Sequence, residues 1–297
     1  MSDPVAPDAS PLVGADWLRT HRDRSDLVVL DARVGPATTS GGKVRYLSGQ
    51  AGFERDGHIP GARFADLCDG FSDPAGAFAF TRPKADDFRE VVQDLGIGEN
   101  SLVVVYDSLS GAWAARVWWV LRAYGHRDVR VLDGGMRAWV AAGGAVAFGP
   151  AAAPARGDFT PIAQDGFFVD TAQVLAVVEG PDDARLVCAS QRAEFTGEAS
   201  DDPRRGHIPG SFSSPYRDLL DDTGRLRLDR VRGEVSRMGL DRAGAVLLYC
   251  GGGVNAAGLA LGLAAAGYDQ PVIYDGSLNE WRADPALPLE TGPGRDA

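Results

Sequence analysis

Gly206-His207-Ile208-Pro209-Gly210 repeats, letter for letter, the segment Gly57-His58-Ile59-Pro60-Gly61 that lies 149 residues earlier. Three further matches follow in the same order. Val103-Val104-Val105-Tyr106 corresponds to Val246-Leu247-Leu248-Tyr249 at an offset of 143, while Asp133-Gly134 and Trp139 correspond to Asp275-Gly276 and Trp281 at 142. Chance supplies one pentapeptide, but not an ordered series at nearly constant spacing, and small drifts are what loop insertions produce. The chain is therefore a tandem of two similar units. The joint falls in Phe148–Asp165, rich in Ala, Pro and Gly and without periodicity, as a semi-extended linker is. The expected division is a first domain at 1–149, a linker at 150–165 and a second domain at 166–297.

Each half alternates short apolar runs with helical composition. Leu27–Leu30, Leu102–Tyr106 and Val129–Leu132 read as strands buried on both faces, with a helix over Trp113–Ala123 between the last two. The second half repeats this with Leu186–Ala189, Ala245–Tyr249 and Pro271–Tyr274, and a helix from about Asn255 to Ala266. Strands alternating with helices predict α/β units with mainly parallel sheets flanked by helices.

Composition sets bounds. At ~100–200 residues per domain, 297 residues suit two domains, each large enough for its own core. A net charge of −11 argues against a general nucleic-acid binder but leaves room for a small anion held by a few local arginines. The N-terminus MSDPVAPDAS lacks the basic and apolar regions of a secretory signal, and no apolar stretch has the ~20 residues that span a bilayer. Cys68, Cys188 and Cys250 are widely separated, so a disulfide framework is not expected and a reducing cytoplasm is.

The chemistry is expected beyond the carboxyl end of a strand, where open α/β sheets collect ligands. Cys250 follows the strand Ala245–Tyr249 and precedes Gly251-Gly252-Gly253-Val254-Asn255, where a helix begins. Three glycines let the backbone curl so that successive N–H groups point at Cys250 Sγ, and the helix N-terminus adds partial positive charge. Both favour thiolate, the nucleophilic form. An isolated cysteine at a strand end is a small buried hydrophobe; the glycine loop and the helix make this one a nucleophile.

A tandem of GHIPG-bearing α/β repeats with a YCGGGVNA loop in the second repeat only, followed by Asp275-Gly276-Ser277 and Glu280-Trp281, resembles the two-domain rhodanese family of thiosulfate and 3-mercaptopyruvate sulfurtransferases. The resemblance covers about Ala15 to Leu289. It implies two rhodanese-like domains, an inactive first and a catalytic second. It further implies that Cys250 takes a sulfane sulfur from a small anionic donor, becomes a persulfide, and passes the sulfur to cyanide or to a low-molecular-weight or thioredoxin-like thiol. No cofactor, metal, nucleic acid or membrane enters that scheme. Asp107 stands in the first repeat where Cys250 stands in the second, and is expected as a helix cap or loop-end carboxylate.

The resemblance also directs attention to arginines between the first strand of the second repeat and its GHIPG. Here Glu194 replaces an expected substrate arginine, and Arg192, Arg204 and Arg205 are the nearest substitutes. His58 and Arg33 of the first repeat are carried as candidates at the domain cleft, whereas His207 and Cys188 are expected to be structural. The neutral run Gly251–Asn255 matches the Cys-Gly-Ser-Gly-Val-Thr of mercaptopyruvate enzymes except at Gly252 and Asn255, and lacks the basic residues usual in thiosulfate enzymes. Asn255 keeps a polar group where Thr would sit and is a candidate helix cap.

Competing chemistries lack their residues. A cysteine phosphatase needs an arginine six positions after the cysteine, where Ala256 stands. A P-loop needs Gly-Lys-Ser/Thr after the glycines, and the scattered histidines and cysteines show no metal spacing. The remaining alternative is a non-catalytic persulfide carrier that kept the loop, which turnover of a simple donor would separate from an enzyme.

Overall fold

The structure is a computed structural model that describes residues 10–38, 44–180, 184–199, 202–268 and 271–296. In the first repeat the strands are β1 (Leu12–Val13), β2 (Leu27–Asp31), β3 (Val34–Thr38), β4 (Val44–Ser48), β5 (Arg63–Phe64), β6 (Leu102–Tyr106) and β7 (Val129–Leu132). Its helices are α1 (Ala15–His21), α2 (Gln50–Asp56), α3 (Ala85–Asp94), α4 (Ala112–Ala123) and α5 (Gly135–Ala141). In the second the strands are β8 (Phe168–Val169), β9 (Ala184–Cys188), β10 (Phe212–Ser213), β11 (Ala245–Tyr249) and β12 (Pro271–Tyr274). Its helices are α6 (Thr171–Glu179), α7 (Arg192–Thr196), α8 (Leu228–Met238), α9 (Val254–Ala265) and α10 (Ser277–Ala283).

The sheets run β1-β7-β6-β2-β5 and β8-β12-β11-β9-β10, with every pair parallel. The two orders correspond strand for strand, so the duplication seen in the letters is a duplication of topology. The Val- and Leu-rich runs form the central strands, buried on both faces as the sequence implies; all five residues of β6 are buried. The antiparallel hairpin of β3 and β4, inserted after β2, has no strand signature in VGPAT and no counterpart among the described residues of the second repeat. The two-residue edge strands β1, β5, β8 and β10 are too short to carry a period.

Helices α4 and α9 are buried almost all round, which is why AWAARVWWVLRA and VNAAGLALGLAA show no polar face. They pack on each other between the sheets, and one continuous core joins the repeats through them. Gly258 lets α9 lie against Tyr216 of its own repeat: a Cβ there would stand 2.7 Å from that buried ring. Two smaller cores lie on the outer faces, one around Phe53, Ile59 and Tyr106, the other around Phe195, Ile208 and Tyr249. Residues 150–164 carry neither helix nor strand, yet they are fastened to the first repeat. Gly157 and Phe159 donate backbone N–H bonds to Gln93 and Ile97, and Ile162 and Gln164 to Tyr124 and Ala123.

Candidate active site

Strand β11 ends at Tyr249, Cys250 follows, and α9 starts at Val254 behind Gly253, whose φ of +79° needs a residue without Cβ. The first repeat does the same: β6 ends at Tyr106, Asp107 follows, and Gly111 at φ +78° caps α4. The loop from Asp107 to Gly111 is one residue longer than that from Cys250 to Gly253, which locates the step in offset from 143 to 142 at the site itself.

Asp107 reveals what such a loop holds. Its Oδ1 accepts from the N–H groups of Leu109 (2.8 Å) and Gly111 (3.0 Å), and its Oδ2 from those of Trp113 and Ala114 (3.1 Å each). Four backbone donors converge on one anionic group at the mouth of a helix. Burial pushes the Asp107 carboxyl above its ordinary range, while the bonds from Ala114, Gly111 and Leu109 pull it back. Cys250 occupies the equivalent place, 3% exposed, among residues of the inter-repeat core.

The turn after β12 braces the cysteine loop. The Ser277 hydroxyl accepts the N–H of Cys250 (3.3 Å) and donates to the Tyr274 carbonyl (2.9 Å), and the amides of Leu278 and Asn279 donate to the carbonyls of Cys250 and Gly251. Ser277 holds φ +51°, a strained value for a side-chain-bearing residue; the matching position of the first repeat is Gly135 at +53°. The first repeat covers the loop. A Cβ on Gly252 would meet the Ala79 carbonyl and the Phe80 ring at 3.5 and 3.7 Å. Phe80 packs edge-on against Trp113, and Trp113 against Tyr46 of the hairpin, at centroid distances of 5.3 and 4.6 Å. Reciprocally, the Tyr216 hydroxyl of the second repeat donates to the Ser110 carbonyl in the first loop.

Several expected site residues lie elsewhere. His58 stacks on Phe53 at 3.8 Å, its Nδ1 meets the Phe53 carbonyl, and its backbone pairs with Ala147. His207 repeats this on Phe195 at 3.7 Å, with its backbone paired to Glu290. Arg33 forks onto buried Asp31 and donates to the carbonyls of Gly52 and Gly57. His58 and Arg33 thus hold the outer face of the first repeat rather than the cleft: their contacts with Phe53 place them in a different core from Cys250. In the second repeat Arg282 reaches the carbonyl of Gly206, as Arg33 reaches that of Gly57.

The expectation for Arg204 is corrected likewise. Its Nη1 and Nη2 donate to the carbonyls of Asp284 and Leu287 at 2.6 and 2.5 Å, so the guanidinium is spent on the chain after α10. Arg205 is exposed beside Gly197, and Arg192 is exposed at the start of α7, a helix that packs into the outer-face core through Phe195. Asn255 is the second residue of α9 and not its cap; Gly253 is. Cys188, at the end of β9, points into the opposite face of the sheet from Cys250, and burial pushes its thiol up to about 12. Burial pushes the Cys68 thiol up to about 11. Sequence reading missed Ser277 and Phe80 as neighbours of the loop; for Ser277 the signal was present, because the repeat alignment sets a serine against Gly135.

Residues 14–142 and 174–284 each match the profile of the Rhodanese-like domain. The chain belongs to the rhodanese family. This rhodanese is 35% identical over 291 residues to a Pseudomonas aeruginosa protein named a probable 3-mercaptopyruvate sulfurtransferase, with 96% of this chain and 99% of that one covered. It is 30% identical to the 3-mercaptopyruvate sulfurtransferase of Escherichia coli, covering 94% of this chain and 97% of the relative. It is 33% identical to a mitochondrial thiosulfate/3-mercaptopyruvate sulfurtransferase of Arabidopsis thaliana, covering 95% and 79%. The crystal structure of SseA from Escherichia coli, described as a 3-mercaptopyruvate enzyme with the rhodanese fold, superposes with a TM-score of 0.78 at 29% identity, over 91% of this chain and 99% of that one. An anaerobic ergothioneine biosynthesis enzyme from Chlorobium limicola shares the fold at a TM-score of 0.78 and 22% identity, over 95% of this chain and 70% of that one. Among the described residues no helix is long and apolar enough to cross a membrane.

Proposed function

We propose that this rhodanese-family sulfurtransferase carries sulfur on Cys250, taking it from 3-mercaptopyruvate in preference to thiosulfate and delivering it to a thiol or to cyanide. The observation that carries the reading is Asp107. In the sister repeat the same loop presents four amides to an anion, so the loop around Cys250 suits a thiolate and, one atom further out, a persulfide. By correspondence with the Asp107 loop the amides of Gly253, Asn255 and Ala256 serve this cradle, and we assign those of Gly251, Gly252 and Val254 to it as well. The repeat with an aspartate at that place has no sulfur to load and serves as a wall of the site.

The Cys250 thiolate attacks the donor sulfur. An S–S bond forms, the donor C–S bond breaks, and its electron pair leaves on the pyruvate enolate, which takes up the proton released from the donor thiol. An acceptor thiolate or cyanide then attacks the outer sulfur, and the S–S electrons return to Cys250 as thiolate. Mercaptopyruvate is favoured because no Lys or Arg lies between Gly251 and Asn255 to bind a dianion, and because relatives of near full-length coverage are named for it. Three free thiols suit a reducing compartment, the cytoplasm. The test is turnover with both donors, using cyanide and a dithiol as acceptors. Cys250→Ser is expected to abolish transfer while the fold survives, with Cys68→Ala and Cys188→Ala active. Activity retained in Cys250→Ser overturns the assignment of the nucleophile. A thiosulfate kcat/KM at or above that of mercaptopyruvate reverses the donor ranking.

A further inference from the structure

Helix α4 carries one charged residue in its apolar centre, Arg116, and that side chain is completely buried. Arginine is seldom fully buried, and then only with partners. Arg116 crosses from the first repeat into the second. Its Nη2 donates to Asp275 Oδ1 at 2.5 Å and to the Phe80 carbonyl at 2.6 Å. Its Nε and Nη1 are buried and have no hydrogen-bond partner among the described residues. Nη1 lies 3.1 Å from the point where a Cβ on Gly253 would stand, so the guanidinium is pressed against the residue that caps α9.

That placement is electrostatically odd. The N-terminus of α9 already carries partial positive charge, and a second cation there is unfavourable unless an anion sits between them. Asp275 pairs with Nη2 and the Phe168 ring lies 5.0 Å from Cζ, but among the described residues no group accepts from Nε or from Nη1, the nitrogen nearest Gly253. In the sister repeat the cation from across the interface, Arg225, lies beside Gly134 and Asp133, while at the matching position of α9 stands Gly258 and the neutral Tyr216 hydroxyl covers the Asp107 loop. There the anion is built in as Asp107. Here it has to be formed from a thiol, which ionises less readily than a carboxyl.

We propose that Arg116, supplied by the repeat that lacks the thiol, is a positioning residue that stabilises the anionic forms of Cys250 through the Gly253 end of the loop. The same guanidinium fixes the three pieces that frame the site. It holds the Phe80 carbonyl and with it the ring over Gly252. It holds Asp275, two residues before the Ser277 hydroxyl that receives the Cys250 N–H. It abuts Gly253 directly. The inference rests on the reading of Cys250 as the nucleophile, but part of its test does not need turnover.

The decisive variants are Arg116→Met, Arg116→Lys and the double change Arg116→Met with Asp275→Asn. Two readouts go with them: the rate of iodoacetamide labelling at Cys250, followed by peptide mapping at pH 7.5, and thermal unfolding. Arg116→Met is expected to slow labelling on the order of 10-fold, as loss of a nearby cation does to a thiolate, and to lower kcat more than it raises donor KM. The double variant is expected to recover stability, because no unpaired Asp275 remains, without recovering labelling. Arg116→Lys is expected to recover most of the labelling. Should Arg116→Met fail to fold, the double and lysine variants carry the test. A double variant labelled at the parental rate overturns the proposal and leaves Arg116 as a strut for Asp275. A parent that turns over neither donor sinks the sulfurtransferase reading instead, while the labelling ratios still decide the role of Arg116.

Discussion

Gly258→Ala sets two effects of opposite sign against each other. On helix propensity alone the change stabilises by about 1 kcal/mol, since glycine is the poorer helix former by that amount. The packing says otherwise. The new Cβ would stand 2.7, 2.8 and 2.9 Å from Cε2, Cζ and Cδ2 of Tyr216, distances that real Cβ atoms do not adopt. The ring cannot retreat into solvent, being 1% exposed, and its hydroxyl is tied to the Ser110 carbonyl across the interface. Overpacking of this kind costs about 1–3 kcal/mol, and a displaced Tyr216 loses a hydrogen bond worth about 0.5–1.5 kcal/mol. Packing therefore wins, with a net loss of roughly 0.5–3.5 kcal/mol after the propensity gain. At about 2–4 °C per kcal/mol for chains of this size, Tm should fall by several degrees. Urea unfolding of parent and variant measures the difference. A Gly258→Ala protein as stable as the parent, or more so, would refute the account of how α9 and Tyr216 meet.

Two other substitutions separate structural arginines and serines from functional ones. Arg204→Ala should leave kcat/KM for either donor within about twofold while lowering stability by about 1 kcal/mol, because its guanidinium bonds the main-chain carbonyls of Asp284 and Leu287 after α10; a tenfold loss of kcat/KM in a folded variant would return it to the substrate site. Ser277→Ala removes the acceptor for the Cys250 N–H and should lower kcat about 3- to 10-fold, and Ser277→Gly, which relieves the positive φ but also lacks the hydroxyl, should not restore it; full activity in Ser277→Gly would show that backbone shape alone matters there.

What could be read from the letters was local. Cys250, its three glycines and the start of α9 are contiguous, so the loop declared itself without knowledge of the fold. The duplication was legible because GHIPG encodes one device used twice: a glycine turn that brings a histidine onto a phenylalanine ring, His58 on Phe53 and His207 on Phe195. The same device made His58 a misleading candidate, since a histidine stacked in an outer core looks in sequence like one in a cleft. Side-chain destinations were hidden wherever the partner is remote. Arg204 is held by carbonyls about 80 residues onward, and Arg116 by Asp275 of the other repeat. Arg33 and Arg282 do the same task for Gly57 and Gly206 from unrelated positions, so no alignment of the two halves pairs them.

The fastening of residues 150–164 to the first repeat shortens the real tether. After Gln164, whose amide is bound to Ala123 at the end of α4, only Asp165, Gly166 and Phe167 precede β8. Three extended residues reach about 10 Å. The second repeat is leashed at one end of α4, the helix it packs against, so the gap between the repeats can open least beside Ala123 and most toward the other end of α4. The four strap bonds lie on the first-repeat side of that tether and survive such a motion; what it disrupts is the core shared by α4 and α9.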